Sequence, residues 1–251
     1  MPEIRLEHLT TAEIGEAIAG GTRTAVLPLA AVEQHGEHLA VSTDADHADE
    51  LAVRIARQLG GALVLPTVRV GYSPYHLKFP GTLSLRAATL EAICEDYCRS
   101  LAAHGFERVV LFSGHIGNYP VMRDFETRLV QALDPLQVIV FTDGAAILNV
   151  WRDATEHVAG LGTNVGGHAD IAETSVMLAL HPDKVRVDKF AAGYTGTVDG
   201  PFLSRVFDEG IDVLSPSGVL GDPAGASQVI GTACLDAVTS LIVQFARSRG
   251  A

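Results

Sequence analysis

The stretch Glu33-Gln34-His35-Gly36-Glu37-His38, followed by Asp44-Ala45-Asp46-His47, brings carboxylates and imidazoles together directly after an apolar run, Thr24-Ala25-Val26-Leu27-Pro28-Leu29. Glu33 and His35 are two positions apart, so on extended backbone their side chains leave on the same face. A carboxylate beside an imidazole suits Zn²⁺, Mn²⁺ or Fe²⁺ and does not suit Cu(I) or an iron–sulfur cluster. Any one of these residues reads equally well as a solvated loop group. The set as a whole, taken with His115 and His168 further along, points to a metal site. His38, Asp46 and His47 fit either of two roles: supporting metal ligands, or capping and solvation at a helix start.

Two further segments carry chemistry. Ser113-Gly114-His115-Ile116-Gly117-Asn118 joins a buried-type strand, Val109-Val110-Leu111-Phe112, to a helix. Its glycines allow a tight turn, and a helix N-terminus beyond favours an anion. Neither the glycine pattern nor a following lysine matches a phosphate loop, so His115 reads as a ligand or a general base. Gly166-Gly167-His168-Ala169-Asp170-Ile171-Ala172-Glu173-Thr174-Ser175 opens another helix. Glu173 falls near its first turn, where a carboxylate also stabilises the helix dipole or closes a capping box.

The elements that must position these groups alternate. Strand-like runs at 24–29, 62–66, 108–112 and 137–141 are followed by helical patterns at 46–59, 87–104, 119–133 and 145–151. That alternation predicts right-handed crossovers, a mostly parallel sheet and helices on both of its faces. A last helix over about 224–248 presents a dry face with Val229, Ile230, Ala233, Cys234, Ala237, Leu241, Ile242 and Phe245. Gly105 marks the end of the helix before the third strand. The long connections 30–44, 67–86 and 153–168 are read as functional loops. The first of them and Ser113–Asn118 both follow strand C-termini, the edge where open parallel sheets bind ligands.

Length and composition fit one α/β domain over residues 1–251, with 47% apolar and 19% charged residues. A net charge of −12 argues against a nucleic-acid or anionic-membrane partner. Cys94 and Cys98 lie on an apolar helical stripe with Leu90, Ile93, Tyr97 and Leu101, so buried packing is expected rather than metal binding. Met1-Pro2-Glu3-Ile4-Arg5 shows no secretory pattern and no apolar run is expected to span a membrane. A cytoplasmic, disulfide-free protein is expected.

Several ordered motifs carry a resemblance. Glu33-Gln34-His35-Gly36, Thr43-Asp44, Phe79-Pro80-Gly81-Thr82, Ser113-Gly114-His115, Gly117-Asn118, and Gly167-His168 through Glu173-Thr174-Ser175 are similar to the creatininase (creatinine amidohydrolase) family. The likeness runs from about Leu27 to Leu180, with a weaker echo at Gly218-Val219-Leu220-Gly221-Asp222-Pro223. It implies a three-layer α/β sandwich, a centre of two divalent ions (zinc, manganese or both, with iron as a further option) and a homo-oligomer, often a hexamer. It also implies that Asp44 bridges the ions, with Glu33 and His115 on one and His35 on the other. Creatininase has a further glutamate ligand two positions after the histidine matching His115. Here that position is Gly117, and Glu173 is the expected substitute. His168 and Glu173 are the residues expected at the catalytic step, His168 protonating the leaving nitrogen. The implied reaction is hydrolysis of an amide C–N bond by a metal-bound hydroxide.

Two departures bear on substrate. Creatininase encloses creatinine with tryptophans, whereas this chain has only Trp151. The 67–86 loop carries Tyr72, Tyr75 and His76, where many relatives have glutamate before the histidine. Tyr75, His76, Gly117 and Asn118 are expected at the substrate, a small amide other than creatinine and cyclic by first preference, not a peptide. A peptidase or deformylase-like hydrolase on a linear amide is the alternative within the family. A non-catalytic module binding a small anion at the His115 loop is the alternative outside it.

Overall fold

The computed structural model describes residues 2–251. Four strands form its central sheet: β1 (Thr24–Leu29), β2 (Ala62–Val64), β3 (Arg108–Ser113) and β4 (Gln137–Val140). All pair in parallel, in the order β2-β1-β3-β4. Every residue of β1 is buried, as a sheet covered on both faces requires. Pro28 sits within this central strand without leaving a partner unpaired. The carbonyls of Val26 and Pro28 face the β2 side and accept from Leu65 and Val68. The regular β2 ladder has already ended at Val64, so no ladder bond needs the missing N–H.

The helices are α1 (Thr11–Ala19), α2 (Thr43–Leu59), α3 (Ala87–Ala103), α4 (Asn118–Ala132), α5 (Gly144–Ala159), α6 (Ile171–Leu180), α7 (Gly200–Glu209), the short α8 (Ile211–Leu214) and α9 (Gln228–Ser248). α3 and α4 pack together, while α2, α5 and α6 gather around α9. Right-handed crossovers put those two groups on opposite faces of the sheet, giving three layers. A small antiparallel pair, β5 (Val165–His168) and β6 (Leu220–Gly221), lies outside the main sheet. The expected α/β sandwich is the observed fold.

Some expectations need correction. The 153–168 segment is not a long loop: α5 continues to Ala159, a 3₁₀ turn follows at Gly162–Asn164, and β5 ends it. The charged face of α5 hid its continuation, and the glycines of β5 do not resemble a strand. α1 was not anticipated, although Thr10 and Glu13 form a complete capping box at its start. α9 is long and apolar enough to cross a membrane, contrary to expectation. Its apolar side instead rests against α2, α5 and α6, which makes it a core helix. Cys94 and Cys98 are fully buried in α3, as expected.

Candidate metal centre

The strand order reverses between β1 and β3, and a crevice forms there at the C-terminal edge. The chain leaving β1 supplies Glu33 and His35, the first turn of α2 supplies Asp44, and the chain leaving β3 supplies His115. His168 ends β5, and Glu173 lies in the first turn of α6. A 3₁₀ turn at Pro74–His76 adds Tyr75 and His76. Residues far apart in sequence thus converge because β1 and β3 end at this edge and the starts of α2 and α6 meet it.

Asp44 lies at the middle of the cluster. Its Oδ1 is 3.1 Å from His35 Nε2, and its Oδ2 is 3.3 Å from His115 Nδ1. His115 Nδ1 is also 3.3 Å from Glu33 Oε1, and His35 Nε2 is 3.6 Å from Glu173 Oε2. One carboxylate therefore faces two donor groups: Glu33 and His115 on one side, His35 and Glu173 on the other. His76 Nε2 and His168 Nδ1 each approach Glu33 Oε1 to 3.6 Å. His168 can reach the same ions through Nδ1, whereas His76 accepts from Gln34 at Nδ1 and so turns an N–H toward Glu33, a place the sequence reading did not give it.

All seven of these side chains are buried. Among the described residues, both carboxylate oxygens of Glu33 and Oδ2 of Asp44 have no hydrogen-bond partner, an expensive arrangement for buried charge. Burial would raise Glu33, but the neighbouring His115 and His76 outweigh it and hold the carboxyl below its ordinary range. Burial would lower His35, yet Asp44, Glu173 and Glu33 raise it to about 10. Burial pushes the Glu173 carboxyl up to about 8 against the pull of His35. Burial and the neighbouring His35 hold His168 well below its ordinary value, so it is neutral. Two divalent cations would meet the unpartnered oxygens and displace the protons now shared among these groups. The donor set fits them. Unpartnered carboxylate oxygens of Glu33 and Asp44 call for cations rather than an anion, which weighs against the binding-module alternative.

Surrounding groups fix the ligand orientations. His35 Nδ1 donates to the Glu33 carbonyl at 3.1 Å, which leaves Nε2 facing Asp44. His168 Nε2 donates to the Gln34 carbonyl at 2.8 Å, leaving Nδ1 toward the centre. Gln34 Nε2 donates to His76 Nδ1 at 2.9 Å, and Gln34 Oε1 accepts from Gly36 N. Asp170 caps α6 and accepts the backbone N–H groups of Gly166, Gly167, Ala172 and Glu173. It thereby shapes the turn that carries His168 and Glu173. The sequence reading did not single out Gln34 or Asp170. The helix-start position of Asp170 was the available signal.

Other expected residues stand elsewhere. Asn118 is fully buried and committed to backbone and a hydroxyl: Nδ2 donates to the Ala30 carbonyl and Ser113 Oγ, and Oδ1 accepts from Tyr72 N. It ties three loops together and has no group left for a substrate. Asp46 bonds Lys184, Arg69 and Ser42 outside the centre. His47 stacks on Trp151, with burial lowering it to about 4. His38 Nε2 meets the Ala169 carbonyl and Thr174 Oγ1. Gly117 lines the crevice with backbone only, since a Cβ there would overlap the Tyr75 hydroxyl.

α7 and α8 roof the crevice. The cavity beneath them measures ≈ 50 Å³, with an apolar wall from Ile116, Leu203, Val206, Phe207, Ile211 and Leu220. Small-molecule sites are usually about 300–1,000 Å³, so this closed form has room for water and not for a substrate.

A buried carboxylate–imidazole cluster at the switch point of an α/β sheet defines a metal-dependent hydrolase. The comparisons agree. A family model described as creatinine amidohydrolase matches residues 7–246. A mycofactocin precursor peptide peptidase of Mycolicibacterium smegmatis is 32% identical over 211 residues, covering 82% of this chain and 77% of that protein. The creatinine amidohydrolase of Pseudomonas putida is 32% identical over 203 residues, covering 72% and 74%. A glutamate-to-glutamine creatininase variant in its Zn–Zn form superposes with a TM-score of 0.79 at 29% identity, covering 99% of both chains. A manganese creatininase gives 0.75 at 29% identity, covering 97% and 98%. The chain belongs to the creatininase family.

Proposed function

We propose that this protein hydrolyses the C–N bond of a small amide at a two-ion centre held by Glu33, His35, Asp44, His115 and Glu173. The observation that carries this reading is the pair of donor groups facing opposite oxygens of Asp44, together with the unpartnered oxygens of Glu33 and Asp44. When bound, such ions activate water and polarise a carbonyl oxygen. The chain's own residues do the rest. His168 is neutral and presents Nδ1 to the centre, where it can take a proton and return it to the departing nitrogen. Gln34 holds His76 through its side-chain amide and His168 through its carbonyl, and the roof leaves room for little more than water.

The substrate wall is apolar on the α7 side and offers no spare cation or anion. That favours an uncharged amide flank over a charged head group. A cyclic amide remains the first substrate class. A linear amide is the second, supported by a relative that acts on a precursor peptide. A screen of cyclic and linear amides with Mn²⁺- or Zn²⁺-loaded protein tests the reading. Turnover of any amide, lost on chelation, supports it, whereas a protein that takes up no divalent ion overturns it. We also propose that the enzyme is cytoplasmic and a homo-oligomer, a hexamer as the family resemblance implies, without nucleic-acid or membrane partners. The supports are its net charge of −12, its free buried cysteines, and exposed apolar side chains such as Leu77, Leu83 and Val187.

A further inference from the structure

Tyr75 is buried where the 3₁₀ turn, the His115 loop and α7 meet. Its ring belongs to a small apolar cluster with Phe202, Val206, Ile211 and Leu220, separate from the main core. The Phe207 ring lies 5.0 Å away, centroid to centroid. The ring is therefore held from the α7 side, and its hydroxyl is held in one place. That hydroxyl is 3.0 Å from His115 Nε2 and donates to the Tyr72 carbonyl at 3.2 Å. On the opposite edge of the same imidazole, Nδ1 faces Glu33 and Asp44.

An imidazole offers a lone pair to a cation through one nitrogen only when its proton sits on the other. For His115 that proton belongs on Nε2, and Tyr75 Oη is its nearest acceptor. Ser73 Oγ and the Tyr72 carbonyl, both at 3.3 Å, are the remaining ones. Gly117 makes the arrangement possible, because any side chain there would overlap the phenol oxygen. The space beside His115 is thus given to a hydroxyl delivered from another loop.

We propose that Tyr75 is a positioning residue of the metal centre, its hydroxyl fixing the tautomer and ring plane of His115 so that Nδ1 addresses the ion between Glu33 and Asp44. The inference rests on the two-ion reading of the site. Partners of this kind typically contribute about 10–100-fold in metal affinity. Tyr75→Phe removes one oxygen and keeps the ring. In a Co²⁺ titration it is expected to weaken one of two ions about tenfold and shift the visible absorption of that ion. Phe207→Leu, which touches the ring and not the hydroxyl, is expected to change neither. In ¹⁵N-histidine NMR of the Zn²⁺-loaded wild type, His115 is expected to carry its proton on Nε2.

Unchanged affinity and spectrum in Tyr75→Phe overturn the proposal. So does a proton on Nδ1, or a Phe207→Leu variant that reproduces the Tyr75→Phe change. Two ions bound normally by both wild type and Tyr75→Phe sink this inference alone. A wild type that binds none sinks the two-ion reading with it.

Discussion

Glu173 has one observed task, accepting the Ala169 N–H, and one proposed task, holding an ion, and a single substitution separates them. Its Oε2 accepts the Ala169 N–H at 2.5 Å and lies 3.6 Å from His35 Nε2, in a buried side chain. Glu173→Gln keeps an oxygen for Ala169 and removes the charge. Without metal, burial has already pushed the carboxyl up to about 8, so near neutral pH the amide replaces a mostly protonated acid. The cost to the metal-free protein should stay within the ~0.3–1 kcal/mol of a charge at a helix N-terminus. With metal the balance differs. An ion present at a hundred times its dissociation constant stabilises the fold by about 2.7 kcal/mol. At roughly 2–4 °C per kcal/mol for a chain of this size, each site adds roughly 5–11 °C to Tm. Calorimetry in chelator and in saturating Mn²⁺, with ion content by mass spectrometry, measures both quantities. The variant is expected to match wild type within about 4 °C in chelator, to lose about half of the metal-induced rise, and to retain one ion. A full rise with two ions bound would show that Glu173 only caps α6.

Asp44→Ala should lose both ions and all turnover, because its two oxygens face different donor groups, whereas Glu37→Ala at an exposed position should keep both; equal losses of metal in the folded variants contradict the bridge. Gly117→Ala should destabilise by about 1–3 kcal/mol through overlap with Tyr75, and Tyr75→Ala/Gly117→Ala should show less than the sum of the single losses in urea titrations. Additive losses would mean that the two positions do not compete for space. Backbone amides of 200–214 should exchange with deuterium well before those of α9, since α7 and α8 pack mainly on each other and on the Pro74–His76 turn; equal protection would make the roof a fixed wall.

The sheet was legible because β1 and β3 are nearly continuous apolar runs ending in polar, glycine-rich turns, and both strand spans match expectation within a residue. Glu33, His35, Asp44, His115 and His168 stood out by ligand chemistry and by following strand ends. Their sorting into two groups around Asp44 came from the resemblance, since no spacing states which oxygen faces which ring. Asn118 misled because an amide beside a ligand loop looks available, while its real work is to close backbone groups of Ala30 and Tyr72. The roof was invisible for a related reason. α7 buries only Phe202 and Val206, so its apolar pattern is too sparse to announce a helix, and its partners are 120 or more positions upstream around Tyr75.

Charge balance explains why so costly a cluster is kept. Glu33, Asp44 and Glu173 bring three carboxylates into a crevice with little water, and burial alone would drive each toward its neutral form. His35 and His115 are raised in response, so the chain answers its own acids with protons. His76 and His168 are lowered and add no charge. Two dications against three carboxylates, a metal-bound hydroxide and neutral imidazoles would come close to neutral, so the ligand charges would be met without the protons now held on His35 and His115. On the proposed reading, an uncharged amide would then enter without a steep desolvation cost, and such a centre would gain most as negative charge grows on the carbonyl oxygen. The apolar wall of α7 offers a charged group no partner, which is in keeping with that proposal.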